Sequence, residues 1–147
     1  MNQMPGGWGE RVVAPWGDME GEMRRAGIPL YALESGDPVS AFDVVAFSLG
    51  YEMAYPAVLN MLDLAGIPLH AVERTDEDPI VIGGGPCTYN PEPIAPFFDL
   101  FYIGGGEVVY DQLFDTYLEN KKNGGTRLDF LKKACQIPGI YVPQFYE

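Results

Sequence analysis

Histidine is almost absent from this sequence, with one in 147 residues, and cysteine occurs only at positions 87 and 135. A disulfide framework, a four-ligand zinc site and a three-cysteine iron–sulfur site each need more ligands than Cys87, Cys135 and His70 supply. Whatever chemistry belongs here is therefore not metal chemistry by this chain alone. Basic side chains are also scarce: nine Lys and Arg stand against twenty-one Asp and Glu, a net charge of −12. A surface of that sign repels phosphate backbones, so no nucleic-acid partner is expected for this segment. No apolar run approaches the roughly 18 residues of a membrane span. The opening Met1-Asn2-Gln3-Met4-Pro5 lacks the basic and apolar regions of a secretory signal. A cytoplasmic location without a membrane partner is the expectation.

What is present suits one folded domain. Hydrophobic residues make up 47% of the chain and aromatics 13%, enough to build a core and too much for a disordered acidic tail. Strand-like and helix-like segments alternate, which is the pattern of an α/β domain with a mostly parallel sheet. Strand candidates are residues 11–15, 42–49, 79–82 and 99–103. The second is apolar almost throughout, as suits burial on both faces. Asp18 is placed to N-cap a helix over 19–26 with Met19, Met23 and Ala26 on one face. Pro56 opens another with the stripe Val58, Met61, Leu62 and Ala65. A long helix spans about 107–122 and a shorter one 128–136, where Leu128, Leu131 and Cys135 share a face. Residues 91–98 hold too many prolines for more than a turn of helix, and 137–143 reads as an extended exit. Gly27-Ile28-Pro29-Leu30 returns as Gly66-Ile67-Pro68-Leu69, each copy after a helix. Reuse of one helix-stop device, with glycine left-handed and proline barring continuation, explains this better than duplication.

Three strands end in residues that let a ligand approach the backbone: Ser48-Leu49-Gly50-Tyr51, Gly83-Gly84-Gly85-Pro86 and Gly104-Gly105-Gly106-Glu107. Ligands of open parallel sheets bind beyond the carboxyl ends of the strands, and all three loops are expected along that edge. For any one of them alone a plain strand-to-helix turn is the better reading, and three on the same edge bring the two readings level. Neither glycine run matches G-x-G-x-x-G, and no G-x-x-x-x-G-K-[ST] occurs, which disfavours nucleotide hydrolysis. Ser48 lies in no G-x-S-x-G elbow, and His70 is the only histidine, so a hydrolase triad is not expected. His70 and Cys135 read as surface or packing residues. Cys87 has no basic neighbour in sequence to lower its pKa, and Asp76-Glu77-Asp78 reads as a solvated acidic turn.

The ordered set formed by residues 42–49, Tyr51-Glu52, residues 58–68, Gly83-Gly84-Gly85-Pro86-Cys87, Asn90-Pro91-Glu92-Pro93, Phe97-Phe98-Asp99, Ile103-Gly104-Gly105-Gly106-Glu107 and residues 137–143 resembles the N-terminal cobalamin-binding-like domain of radical SAM proteins. The resemblance implies a flavodoxin-like, doubly wound sheet over residues 1–147, with 136–147 leading toward a separate barrel. That barrel would carry a C-x-x-x-C-x-x-C triplet for [4Fe-4S] and S-adenosylmethionine; the triplet is absent here. The chain is thus expected to be an accessory domain with no catalytic residues and no metal ligands of its own. Its cofactor-binding candidates are Ser48, Leu49, Tyr51, Gly83, Gly84, Gly85, Pro86, Gly104, Gly105, Gly106 and Glu107, and its expected partner is the barrel of the same protein. Cobalamin is the candidate ligand; without D-x-H-x-x-G, no protein histidine would reach its cobalt. The alternative is a cobalamin-free docking or substrate-recognition module. Relatives carry one more strand and helix ahead of the segment matching 11–15, and loss of that central first strand would weaken the sheet or draw another segment into the gap.

Overall fold

The computed structural model describes residues 11–12, 17–49, 55–85, 92–103 and 107–145, with backbone only for 107–110. The elements are α1 (Gly17–Ala26), β1 (Val44–Ser48), α2 (Tyr55–Ala65), β2 (Ile80–Gly84), β3 (Leu100–Tyr102), α3 (Glu107–Lys122), α4 (Arg127–Ala134) and β4 (Ile140–Tyr141), with short 3-10 turns between them. The sheet runs β1-β2-β3-β4, parallel through the first three strands and antiparallel at the last. This is the α/β architecture with a mostly parallel sheet that the alternation of segments predicts, and it is consistent with the doubly wound, flavodoxin-like fold that the resemblance implies. None of the described helices is long and apolar enough to cross a membrane.

Alternation along β2 explains the two cores. Val81 joins Met23, Val58, Leu62, Phe98 and Phe101 under α1 and α2, whereas Ile80 and Ile82 join Leu113, Phe130 and Leu131 under α3 and α4. Every residue of β2 is buried, as the central strand of a sheet covered on both faces requires. Burying one such Leu, Ile or Phe side chain contributes about 1.5–3 kcal/mol, so both layers are needed to hold the sheet.

The helix ends follow the repeated glycine device. Gly27 and Gly66 take φ of +71° and +76°. After each, the next amide reaches back five residues, Ile28 to the Met23 carbonyl at 2.8 Å and Ile67 to the Leu62 carbonyl at 3.0 Å. These bonds complete Schellman motifs that only a left-handed residue permits.

Several expectations are corrected. Helix α1 starts at Gly17, so Asp18 lies in its first turn, and Met23 is its buried residue while Met19 is exposed. Arg11 and Val12 are not in a strand; the rest of that candidate lies outside the described residues. Strand β1 is not buried on both faces: Ala46 and Ser48 are exposed. No described strand pairs with its outer side, and an apolar depression of about 210 Å³ lined by Val12, Leu30, Val39, Val45 and Phe47 runs beside it. On α4 the buried side is Phe130, Leu131 and Ala134, with Leu128 exposed. The exit segment turns back into the sheet as β4 before a 3-10 turn at Pro143–Phe145.

Candidate functional site

Parallel register brings the strand ends together. Ser48 pairs with Gly84, and Gly83 pairs with Phe101, so the carboxyl ends of β1, β2 and β3 form one edge. Ser48 is exposed there. Leu49 is buried, its amide donating to the Gly84 carbonyl at 2.6 Å. Gly85, half-buried, has φ of +101°, and a Cβ on it would sit 2.8 Å from the Leu49 carbonyl oxygen. Glycine at 85 is therefore required both by conformation and by the close approach of the neighbouring chain.

Gly83 and Gly84 have a different reason to be glycine. A Cβ on Gly83 would lie 2.7 Å from the Phe101 ring, and one on Gly84 would collide with the ring of Tyr102. The faces that these glycines leave bare are filled by side chains of β3. Their amides lie within the sheet as well. The Ile80 amide donates to the Asp43 carbonyl, and the Asp99 amide to the Val81 carbonyl. Alternation along a parallel ladder then directs the Gly84 amide to β1 and the Gly83 amide to β3.

Tyr51, Pro86, Gly104, Gly105 and Gly106 lie outside the described residues, as does Cys87. Glu107 opens α3. His70 is exposed, with its ring centroid 5.2 Å from that of Phe97. Cys135 is half-buried and its thiol donates to the Lys132 carbonyl at 3.0 Å. Among the described residues no three His, Cys, Asp or Glu converge to hold a metal.

The strongest electrostatic feature is one that the sequence did not single out. Just before β3, Asp99 Oδ2 accepts from the Val81 amide at 2.8 Å, from Arg74 Nη1 at 3.1 Å and from Arg127 Nη2. The three side chains are 2%, 0% and 8% exposed for Asp99, Arg74 and Arg127 respectively. Arg74 also donates to the carbonyls of Pro68, Leu69 and Phe97, and Arg127 to those of Asp78 and Pro79. Burial pulls the Arg74 pKa down, and the Asp99 charge opposes that shift. Asp99 is thus a counter-ion that ties the 68–79 segment to β3 and α4. Its one sequence signal is a carboxylate set against an apolar strand, which demands a remote cation. The acidic turn serves the same anchoring, since Asp76 Oδ1 accepts the Arg127 amide at 2.8 Å, beside the Thr126–Asp129 capping box that opens α4.

A mostly parallel sheet covered by helices on both faces defines a broad class of α/β domains, and that fold does not by itself specify a function. Comparison with known proteins narrows the class: residues 1–143 match the family described as radical SAM proteins, N-terminal. The chain belongs to that family. It is 30% identical over 112 residues to an uncharacterized protein of Methanocaldococcus jannaschii, covering 67% of this chain and 24% of the relative. The chain thus spans about a quarter of the length of that relative. No solved structure gives a significant match.

Proposed function

We propose that this chain is an accessory domain of a radical SAM enzyme that presents the carboxyl edge of its sheet to a cofactor or substrate. The single observation behind this reading is the Ser48–Gly84 register, which sets an exposed hydroxyl beside the Gly85 turn at the ends of parallel strands. Cobalamin is the cofactor proposed. Ser48 Oγ and the loops that follow Gly85 and Ile103 would hold it, because Gly83 and Gly84 are already packed against Phe101 and Tyr102. When bound, cobalamin would supply alkyl-carrier or redox chemistry at its cobalt. The chain's own part is to bind and orient. The [4Fe-4S] cluster and S-adenosylmethionine belong to the proposed barrel.

The filled glycine faces favour a second reading, a cobalamin-free docking or substrate-recognition module. Titration of the protein with hydroxocobalamin, followed in the visible bands, separates the two. A saturable shift at micromolar ligand that is weakened by Ser48→Leu supports the cofactor reading. No shift at high micromolar ligand assigns the domain to docking.

A further inference from the structure

The face of the sheet under α3 and α4 carries a row of residues at the candidate ligand edge. Ile80, Ile82 and Leu100 belong to the core on that face, with Val44 and Tyr102 packed against it. Side chains alternate between faces along a strand. Ser48 therefore lies on the face of Val44, and Gly84 on that of Ile80 and Ile82. Ser48 pairs with Gly84, and carrying the β2–β3 register one residue beyond Gly83 and Phe101 sets Gly84 beside Tyr102. The last row of this face is thus Ser48, Gly84 and Tyr102, one residue from each of three parallel strands. Phe101 belongs instead to the opposite core, where it is fully buried.

The middle member of the row has no side chain, and Tyr102 uses the space. Its Cε1, Cζ and phenol oxygen lie 2.1, 2.1 and 2.3 Å from where a Gly84 Cβ would stand. The outer end of the ring is what covers Gly84, so the side chain extends from β3 across β2 toward β1. Neighbouring strands are about 4.8 Å apart, which leaves the phenol oxygen about one strand spacing from the Ser48 side chain. An O–H···O hydrogen bond spans about 2.7–2.8 Å. Two hydroxyls at that separation can both donate to one oxygen set between them. Ser48 is exposed and Tyr102 half-buried, so both are reached from outside.

We infer that Tyr102 is a ligand-binding residue of the carboxyl edge, its phenol joining the Ser48 hydroxyl to hold one acceptor oxygen, a role that rests on the cobalamin reading above and adds a residue which that reading omits. Two neutral donors bring no charge to offset an anion, in a chain of net charge −12. The group they suit is therefore a carboxamide carbonyl, of the kind that the corrin periphery carries. Glycine at 84 then has a part in binding as well as in packing. Any side chain there would displace the ring and separate the two hydroxyls.

The test uses the full-length protein that carries this region, unsubstituted and as Tyr102→Phe, Ser48→Ala and the double variant, titrated with hydroxocobalamin in the visible bands. Tyr102→Phe keeps the ring over Gly84, so a role in packing alone leaves the affinity unchanged. The expected result is a Kd raised at least three-fold by each single substitution, and by less than the product of the two in the double variant, because both hydroxyls serve one acceptor. Nitration of the unsubstituted protein by tetranitromethane, read by peptide mass spectrometry, gives a second measurement without substitution. Saturating hydroxocobalamin should slow it at least five-fold at Tyr102 and leave Tyr31 unchanged. Tyr31 is half-buried beside Leu30, whose amide binds the Leu64 carbonyl at the far end of α2. Binding by Tyr102→Phe as tight as by the unsubstituted protein, or nitration of Tyr102 indifferent to ligand, would overturn this role alone. Effects that multiply fully in the double variant would overturn the shared acceptor. No binding by the unsubstituted protein would overturn the cofactor reading and this role with it.

Discussion

Replacing Asp99 with Asn isolates the charge at the centre of the Arg74–Asp99–Arg127 cluster. The amide is nearly isosteric, and its oxygen can still accept from the Val81 amide, which now binds Oδ2 at 2.8 Å. What disappears is the anion facing two guanidinium groups whose side chains are 0% and 8% exposed. Both arginines keep their backbone carbonyl acceptors, so geometry survives while two buried cations lose their counter-ion. Breaking a buried pair in this way costs about 3–5 kcal/mol, against a total stability of about 5–15 kcal/mol for a domain. Urea unfolding followed by circular dichroism should therefore show a much lower midpoint with an unchanged slope. Adding Arg127→Met to Asp99→Asn should recover part of the loss, because it removes one of the uncompensated charges. A loss below about 1 kcal/mol, the range of exposed ion pairs, would refute the claim that burial makes this cluster essential.

Two further outcomes follow from the packing. Gly84→Ala places a methyl against the Tyr102 ring; it should destabilise by about 1–3 kcal/mol, the range for overpacking, and Tyr102→Ala in the same chain should relieve most of the clash. Burial, with help from Asp43, pushes the Tyr117 phenol up to about 12, above the roughly 10 of an unfolded tyrosine. The folded state therefore holds this proton more tightly, and stability is full below pH 10 and falls as the pH rises toward 12. Discounted for the half-exposed ring, the loss should be about 1 kcal/mol, read from urea midpoints at pH 9 and 11 and absent in Tyr117→Phe.

The parts of the fold legible in the sequence are those set by local chemistry. Gly27 and Gly66 mark helix ends because few residues tolerate the left-handed position at C′. Strands β2 and β3 are visible as short apolar runs, since central parallel strands bury both faces. Strand β1 has the same composition, yet it lies at the described edge of the sheet, because strand order is a long-range property that an apolar run does not encode. Leu128 has the right spacing for a buried stripe with Leu131, but α4 meets the sheet through Phe130, Leu131 and Ala134 instead. Helical spacing specifies which residues share a face, while the burial of that face depends on docking angle.

At the candidate site, the convergence of Ser48 with Gly83 to Gly85 was readable from the order of strand and glycine turn. The filling of Gly83 and Gly84 by Phe101 and Tyr102 was not, because it depends on cross-strand register. The arginine cluster was hidden for a similar reason: Arg74, Asp99 and Arg127 are separated by 25 and 28 residues and share no local motif.

The proposed reading places a ligand at the carboxyl edge of the sheet, beside Ser48 and Gly85. Amide hydrogen exchange of the full-length protein, with and without hydroxocobalamin, tests that placement directly. Slowed exchange on addition of ligand in peptides covering Ser48 and Gly85, with none over 71–73 or 127–129, is the predicted result. A change confined to the Val72 and Leu128 peptides, with Ser48 and Gly85 unaffected, would contradict it.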